Sequence, residues 1–282
     1  MNPAEKISHI TPKRKWFDVD IKGIWDYRDL YKSYIRRDFV TTYKQTILGP
    51  LWYFISPIFT TIMYMFVFGG LAGISTDGLP QPLFYMAGVT LWGYFQSCFG
   101  ACTNVLRGNA GIFSKVYFPR LIVPLSSITT NLIRFGIQML MFIGVYIYYV
   151  AFKGFPISLN WTIIFFPVFV LMTALMGMGM GLVVSSLTTK YRDLSFLVGF
   201  GMQLLMYGTP IIYPLSFAPA QYRQYIEINP LTPIFEAYKY SLLGNGTFTA
   251  TGIIYSTVFI VVLMTLGILI FNQQEKQFID TV

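Results

Sequence analysis

Long uncharged runs alternate with short charged stretches along this chain, from Gln45 to Thr76, Gly78 to Leu106, Phe135 to Phe152, Gly154 to Thr189, Leu194 to Tyr222 and Tyr240 to Gln274. An ionised side chain at the centre of a bilayer costs at least ~2.5 kcal/mol, so charges mark where membrane-spanning segments end. Each run holds the ~20 residues a spanning helix needs, except the third, which must borrow apolar residues from before Arg134. The pattern predicts six transmembrane helices, near residues 51–72, 83–105, 126–150, 162–187, 195–213 and 252–271.

Two further elements flank these spans. At 100° per residue, Tyr27, Leu30, Tyr31, Tyr34, Ile35 and Phe39 fall on one side of a helix, and Asp29, Lys32, Arg36, Arg37 and Lys44 on the other. This is an amphipathic interfacial helix over 25–45, interrupted by Arg28 and Asp38 in its apolar arc, and it serves as a membrane-surface anchor, as a contact surface for a cytoplasmic subunit, or as both. Between spans five and six, Pro214 to Gly246 is too long for a turn and too polar to span. Its aromatics, among them Tyr222, Tyr225, Phe235 and Tyr238, predict short re-entrant helices dipping into the outer leaflet, where they cap a pathway or form an ordered loop. The fold class is therefore all-α integral membrane, in a single domain: a tail over 1–24, the interface helix, a six-helix membrane domain over 51–271 and a tail over 272–282.

Composition agrees, since 55% hydrophobic and 11% charged residues leave too few charges to solvate a soluble surface. The net charge of +8 does not signal nucleic acid, because the surplus flanks apolar runs instead of forming one exposed patch. Of the 20 Lys and Arg, only Lys153, Arg223 and Lys239 fall outside the loops shared with the termini, with Arg134 inside span three. The positive-inside rule then places both termini in the cytoplasm, with Arg134 snorkelling toward that side. The first fifty residues are too polar for a signal peptide.

Catalytic chemistry is hard to build from these residues. Cys98 and Cys102 lie i,i+4 on one face of span two without further metal ligands, and His9 sits in the polar tail. Gly177, Gly179 and Gly181 lie inside span four, where glycines allow close helix approach, and no phosphate-cradling loop is present in the sequence. Asp77, Asp193, Glu227 and Glu236 all fall between spans, so no intramembrane carboxylate relay is offered. Work done by such a protein must be powered by a partner. A polytopic transferase is the least favoured class, because an active site needs membrane-proximal carboxylates or histidine.

The run from Arg37 through Tyr43-Lys44-Gln45-Thr46-Ile47-Leu48-Gly49-Pro50-Leu51-Trp52, leading to Pro57, resembles the approach to span one in ABC-2 type exporter permeases of the polysaccharide and O-antigen export branch. Gly108-Asn109-Ala110 with Lys115-Val116-Tyr117-Phe118-Pro119-Arg120 resembles that family's first cytoplasmic loop. Tyr191-Arg192-Asp193-Leu194, followed by Gln203, Tyr207 and Pro210-Ile211-Ile212-Tyr213-Pro214, resembles its fourth-to-fifth span region, and Asn229-Pro230-Leu231-Thr232-Pro233 its outer loop. Gly111, Ser114 and Thr209 depart from the family pattern, where a larger polar residue, a basic residue and serine are expected.

The resemblance implies a permease subunit in the bacterial cytoplasmic membrane that homodimerises and works with two copies of a nucleotide-binding ATPase subunit. ATP and Mg would be bound by that partner, and no cofactor by this chain. The cargo would be a lipid-linked polysaccharide, with drugs or small lipids as the alternative. Coupling to the ATPase would fall on Arg36, Arg37, Asn109, Ile112, Phe113, Lys115, Arg192 and Asp193. Sugar rings stack on aromatic faces, so Tyr53, Phe59, Met63 and Phe66 on span one, and Phe196, Phe200, Gln203 and Tyr207 on span five, are candidates for a translocation path. The span-five set recurs at helical spacing and alternatively packs against span two or another protomer.

Overall fold

A computed structural model describes residues 21–44, 48–113, 116, 118–156, 160–191 and 193–281. The chain opens with α1 (Ile21–Asp26) and α2 (Arg28–Tyr43), followed by α3 (Trp52–Tyr64) and α4 (Gln81–Thr103). Two short helices, α5 (Val105–Gly108) and α6 (Ala110–Phe113), lead to the long α7 (Ile122–Lys153). After α8 (Phe166–Lys190) come α9 (Leu194–Tyr207), α10 (Ala220–Ile228), α11 (Thr232–Leu243) and α12 (Ala250–Thr281). Every predicted span overlaps a helix. By length and composition, four helical stretches among the described residues suit a membrane: Trp52–Leu71, Ile122–Lys153, Trp161–Thr188 and Ala250–Gln273.

The other two expected spans differ for stated reasons. Helix α4 is long enough at 23 residues, but Gln81, Thr90, Gln96 and Ser97 dilute its apolar character, which suits a helix that other helices surround. Helix α9 was expected to run to residue 213 and stops at Tyr207, because Pro210 cannot donate into a helical ladder and the chain turns at Gly208 and Thr209. At 14 residues it is shorter than a full bilayer crossing. Helix α3 also changes pitch, continuing as a wider π-helical segment over Met65–Leu71 that ends with Ala72 N donating to Val67 O at 2.9 Å.

Helix α4 is the hub, packing against α3, α7, α8 and α11, with Leu83, Tyr85, Phe95, Cys98 and Cys102 fully buried. The two cysteines are free thiols. They face the glycine seam of α8: a methyl group on Gly181 would sit 2.5 Å from Cys102 Cβ and 2.7 Å from Phe99 O. Gly267 of α12 meets the other side of that seam, where its missing side chain lies 3.0 Å from Gly179 O. Small residues thus set the α4–α8–α12 stack, as expected where helices associate without a hydrophobic driving force. The apolar side of α2 packs on α7; Tyr34 is buried, and Tyr31 hydrogen-bonds Thr129.

Candidate functional site

Two helices present aromatic faces that the rest of the chain leaves uncovered. On α3 and its continuation, Phe59 (64% exposed), Met63 and Phe66 lie within a narrow arc, whereas Pro57 and Thr61 are buried. On α9, Phe196 (83% exposed), Phe200 (61%), Gln203 and Tyr207 share one face, and Met202 is the buried residue. The two helices approach where the Tyr64 hydroxyl meets Met206 Sδ at 3.4 Å. Tyr53 lies apart from the Phe59 arc, with the Arg134 guanidinium 5.4 Å from its ring centre.

Polar groups gather beside these faces. A cavity of about 210 Å³ between α3, α4, α7 and the end of α9 is edged by Ser56, Thr60, Tyr64, Gln96 and Gln138. A second, more open cleft of about 670 Å³ lies between α2, α4 and α7, with Arg37, Asp38, Ser97, Asn104, Asn131 and Arg134 on its walls. There Arg134 Nη1 donates to Asn131 Oδ1 at 3.2 Å and Nη2 to Asp38 O at 3.5 Å, so the side chain leans toward α2. Arg37 pairs with Asp38 at 2.8 Å and lies over the Tyr34 ring. Sequence reasoning passed over Gln96 and Gln138, although uncharged amides inside apolar runs are expensive enough in lipid to mark a functional surface. Hydroxyls and amides interleaved with aromatic faces can exchange hydrogen bonds with a hydroxyl-rich solute while its C–H faces stack.

At the end of the bundle carrying α2, Arg36 is exposed. Asn109 Nδ2 donates to Val105 O at 3.0 Å, holding the α5–α6 corner, and Ile112 is partly buried. Phe113 is buried against Phe118 and lies beneath the Arg120 guanidinium, so it anchors α6 and is not itself on the surface. Asp193 is exposed and caps α9, accepting from Leu194 N at 3.1 Å. Lys115 and Arg192 lie outside the described residues.

The opposite end corrects one expectation. Tyr222 and Tyr225 on α10 are exposed, but Phe235 and Tyr238 are fully buried, because α11 lies against α4 and α8 with its apolar side inward. Lys239 is 2% exposed and pairs with Glu236 at 3.1 Å while donating to Pro210 O at 2.7 Å. Burial pushes its ammonium down from the ordinary lysine value, opposed by the Glu236 carboxylate. Glu236 Oε2 also accepts from Thr247 N at 3.2 Å. Together with Asn229 Nδ2, which reaches Gly208 O and Thr209 Oγ1, this pair clamps α11 to the corner after α9. The i,i+3 spacing of Glu236 and Lys239 within an apolar stretch was the available signal.

Apolar helices long enough to cross a bilayer mark an integral membrane protein. The ABC-2 type transporter profile matches residues 29–243, and the chain belongs to that family. It is similar to the O-antigen export system permease protein RfbA of Klebsiella pneumoniae, 29% identical over 257 residues covering 89% of this chain and 94% of the relative. The RfbA permease of Myxococcus xanthus is 23% identical over 267 residues, covering 93% and 98%. The polysialic acid transport protein KpsM of Escherichia coli is 19% identical over 251 residues, covering 85% and 91%.

Proposed function

We propose that this chain is the channel-forming permease subunit of an ATP-driven exporter that moves a lipid-linked polysaccharide, such as an O-antigen or related surface polymer, across the bacterial cytoplasmic membrane. It acts as a homodimer with two copies of a separate nucleotide-binding ATPase, crosses the membrane six times and keeps both termini in the cytoplasm. The uncovered aromatic face on α3 and α9 carries this reading. Phe196, Phe200 and Phe59 are left open in the single protomer, within reach of a second protomer and of a path between the two. The names of the relatives support a polymer as cargo.

Replacing Phe200 and Tyr207 together by alanine tests the path. Both side chains are exposed in the protomer, so its folding stability should change by no more than about 1 kcal/mol. Losing two stacking contacts should cut polymer export about tenfold or more. Normal export from the well-folded double variant would remove α9 from the channel wall.

Coupling to the ATPase is proposed to run through α2, where Arg36 and Arg37 are exposed, and the α5–α6 corner with Asn109 and Ile112. A Cβ on Gly111 would meet no described atom within 4 Å and the position is exposed, so Gly111→Trp should fold and insert normally. If this corner docks on the partner, the added bulk should leave ATP hydrolysis running while export drops. Export at the parent level would argue against docking there.

A further inference from the structure

A further cavity lies off the proposed path. It is a groove of about 1010 Å³ on the opposite flank of α4, where α7 and α8 both pack on that helix but separate from each other. Leu132 and Gly136 form one wall, Leu171 and Leu175 the other, and Tyr94 and Phe135 the floor. Leu132, Gly136 and Leu171 are exposed, so the groove opens sideways toward the space a bilayer occupies.

One end differs in chemistry. There α1 and α2 close the groove with Arg28 and Lys32, one helical turn apart and both exposed, while Trp25 stands at the rim. Among the described residues, no Asp or Glu lines it. This end belongs to the region where the chain concentrates Lys and Arg, the side that faces anionic lipid headgroups. An apolar trough as long as several helical turns, with two cations at the headgroup end and aromatic edges beside them, has the polarity profile of a phospholipid.

We propose that this groove is a binding site for one anionic phospholipid, its acyl chains lying between α7 and α8 and its phosphate held by Arg28 and Lys32. The lipid fills space that no side chain among the described residues fills and ties the interfacial helix to the bundle. The site is independent of what the subunit transports.

Native mass spectrometry of the full chain in detergent, offered phosphatidylglycerol or phosphatidylcholine, tests this. The parent should retain one phosphatidylglycerol with roughly thirtyfold preference over phosphatidylcholine, about fivefold for each of the two cations near the surface. Arg28→Gln with Lys32→Gln, at two exposed positions, should bring that preference to within about twofold. A Cβ at Gly136 or Gly144 meets nothing within 4 Å, both positions are exposed, and Gly144 does not line the groove. Gly136→Phe should therefore abolish retention of either lipid, and Gly144→Phe should leave it intact. Equal retention of the two lipids by the parent, an unchanged preference in the glutamine variant, or parent-like binding by Gly136→Phe would each overturn the proposal.

Discussion

Gly181→Leu should fail to accumulate as a folded protein, and even Gly181→Ala should lower the thermal transition measured in detergent. The added Cβ alone would lie 2.5 Å from Cys102 Cβ and 2.7 Å from Phe99 O. The second of these is backbone of a continuous helix and cannot rotate aside, so α4 and α8 must separate. Overpacking typically costs about 1–3 kcal/mol, and here separation would also disturb α12, which leans on the other side of the same glycine seam. Gly100→Ala on α4 is the control, because its side chain would enter open space and alanine favours a helix by about 0.8–1 kcal/mol. A Gly181→Ala protein melting with the parent would show that the seam has room the packing does not indicate.

Removing the charge at Lys239 should be nearly as damaging. Lys239→Met leaves the Glu236 carboxylate buried with its cation gone and frees Pro210 O from its 2.7 Å hydrogen bond. Breaking a buried pair on one side typically costs about 3–5 kcal/mol, whereas replacing both partners by apolar groups is often close to neutral. The double variant Glu236→Leu with Lys239→Met should therefore recover much of the stability lost in Lys239→Met. A single variant as stable as the parent would mean that the pair does not hold α11 to the corner after α9.

Much of the helix pattern was legible from local sequence. The apolar runs between charges located the helices, because in lipid every backbone N–H and C=O must be satisfied within its own segment. The period of Leu30, Tyr31, Tyr34 and Ile35 marked α2 as amphipathic and interfacial, and the structure turns that side onto α7, where Tyr34 is buried. The glycines and cysteines of spans four and two were expected to pack, and they meet each other across one seam. The end of α9 was misjudged, since Pro210 had been read within the span, although its ring closes off the ladder a turn earlier.

Burial was harder to read than helix position. The spacing of Phe196, Phe200, Gln203 and Tyr207 showed that they share a face, as the aromatics of α11 also do, yet the first set is uncovered and Phe235 and Tyr238 are fully enclosed. In an apolar chain both faces look alike, because hydrophobicity does not separate a lipid-facing side chain from a packed one. The hydrogen bond from Lys239 to Pro210 O, the cavity edged by Gln96 and Gln138, and the groove ending at Arg28 and Lys32 likewise each join segments far apart in the chain. By itself, the sequence determined where helices form and which family the chain resembles, since those depend on neighbours along the chain. Which faces are buried, paired or left open was decided only by the tertiary structure, because small residues on α8 let α4 and α12 approach closely and thereby set which surfaces remain uncovered.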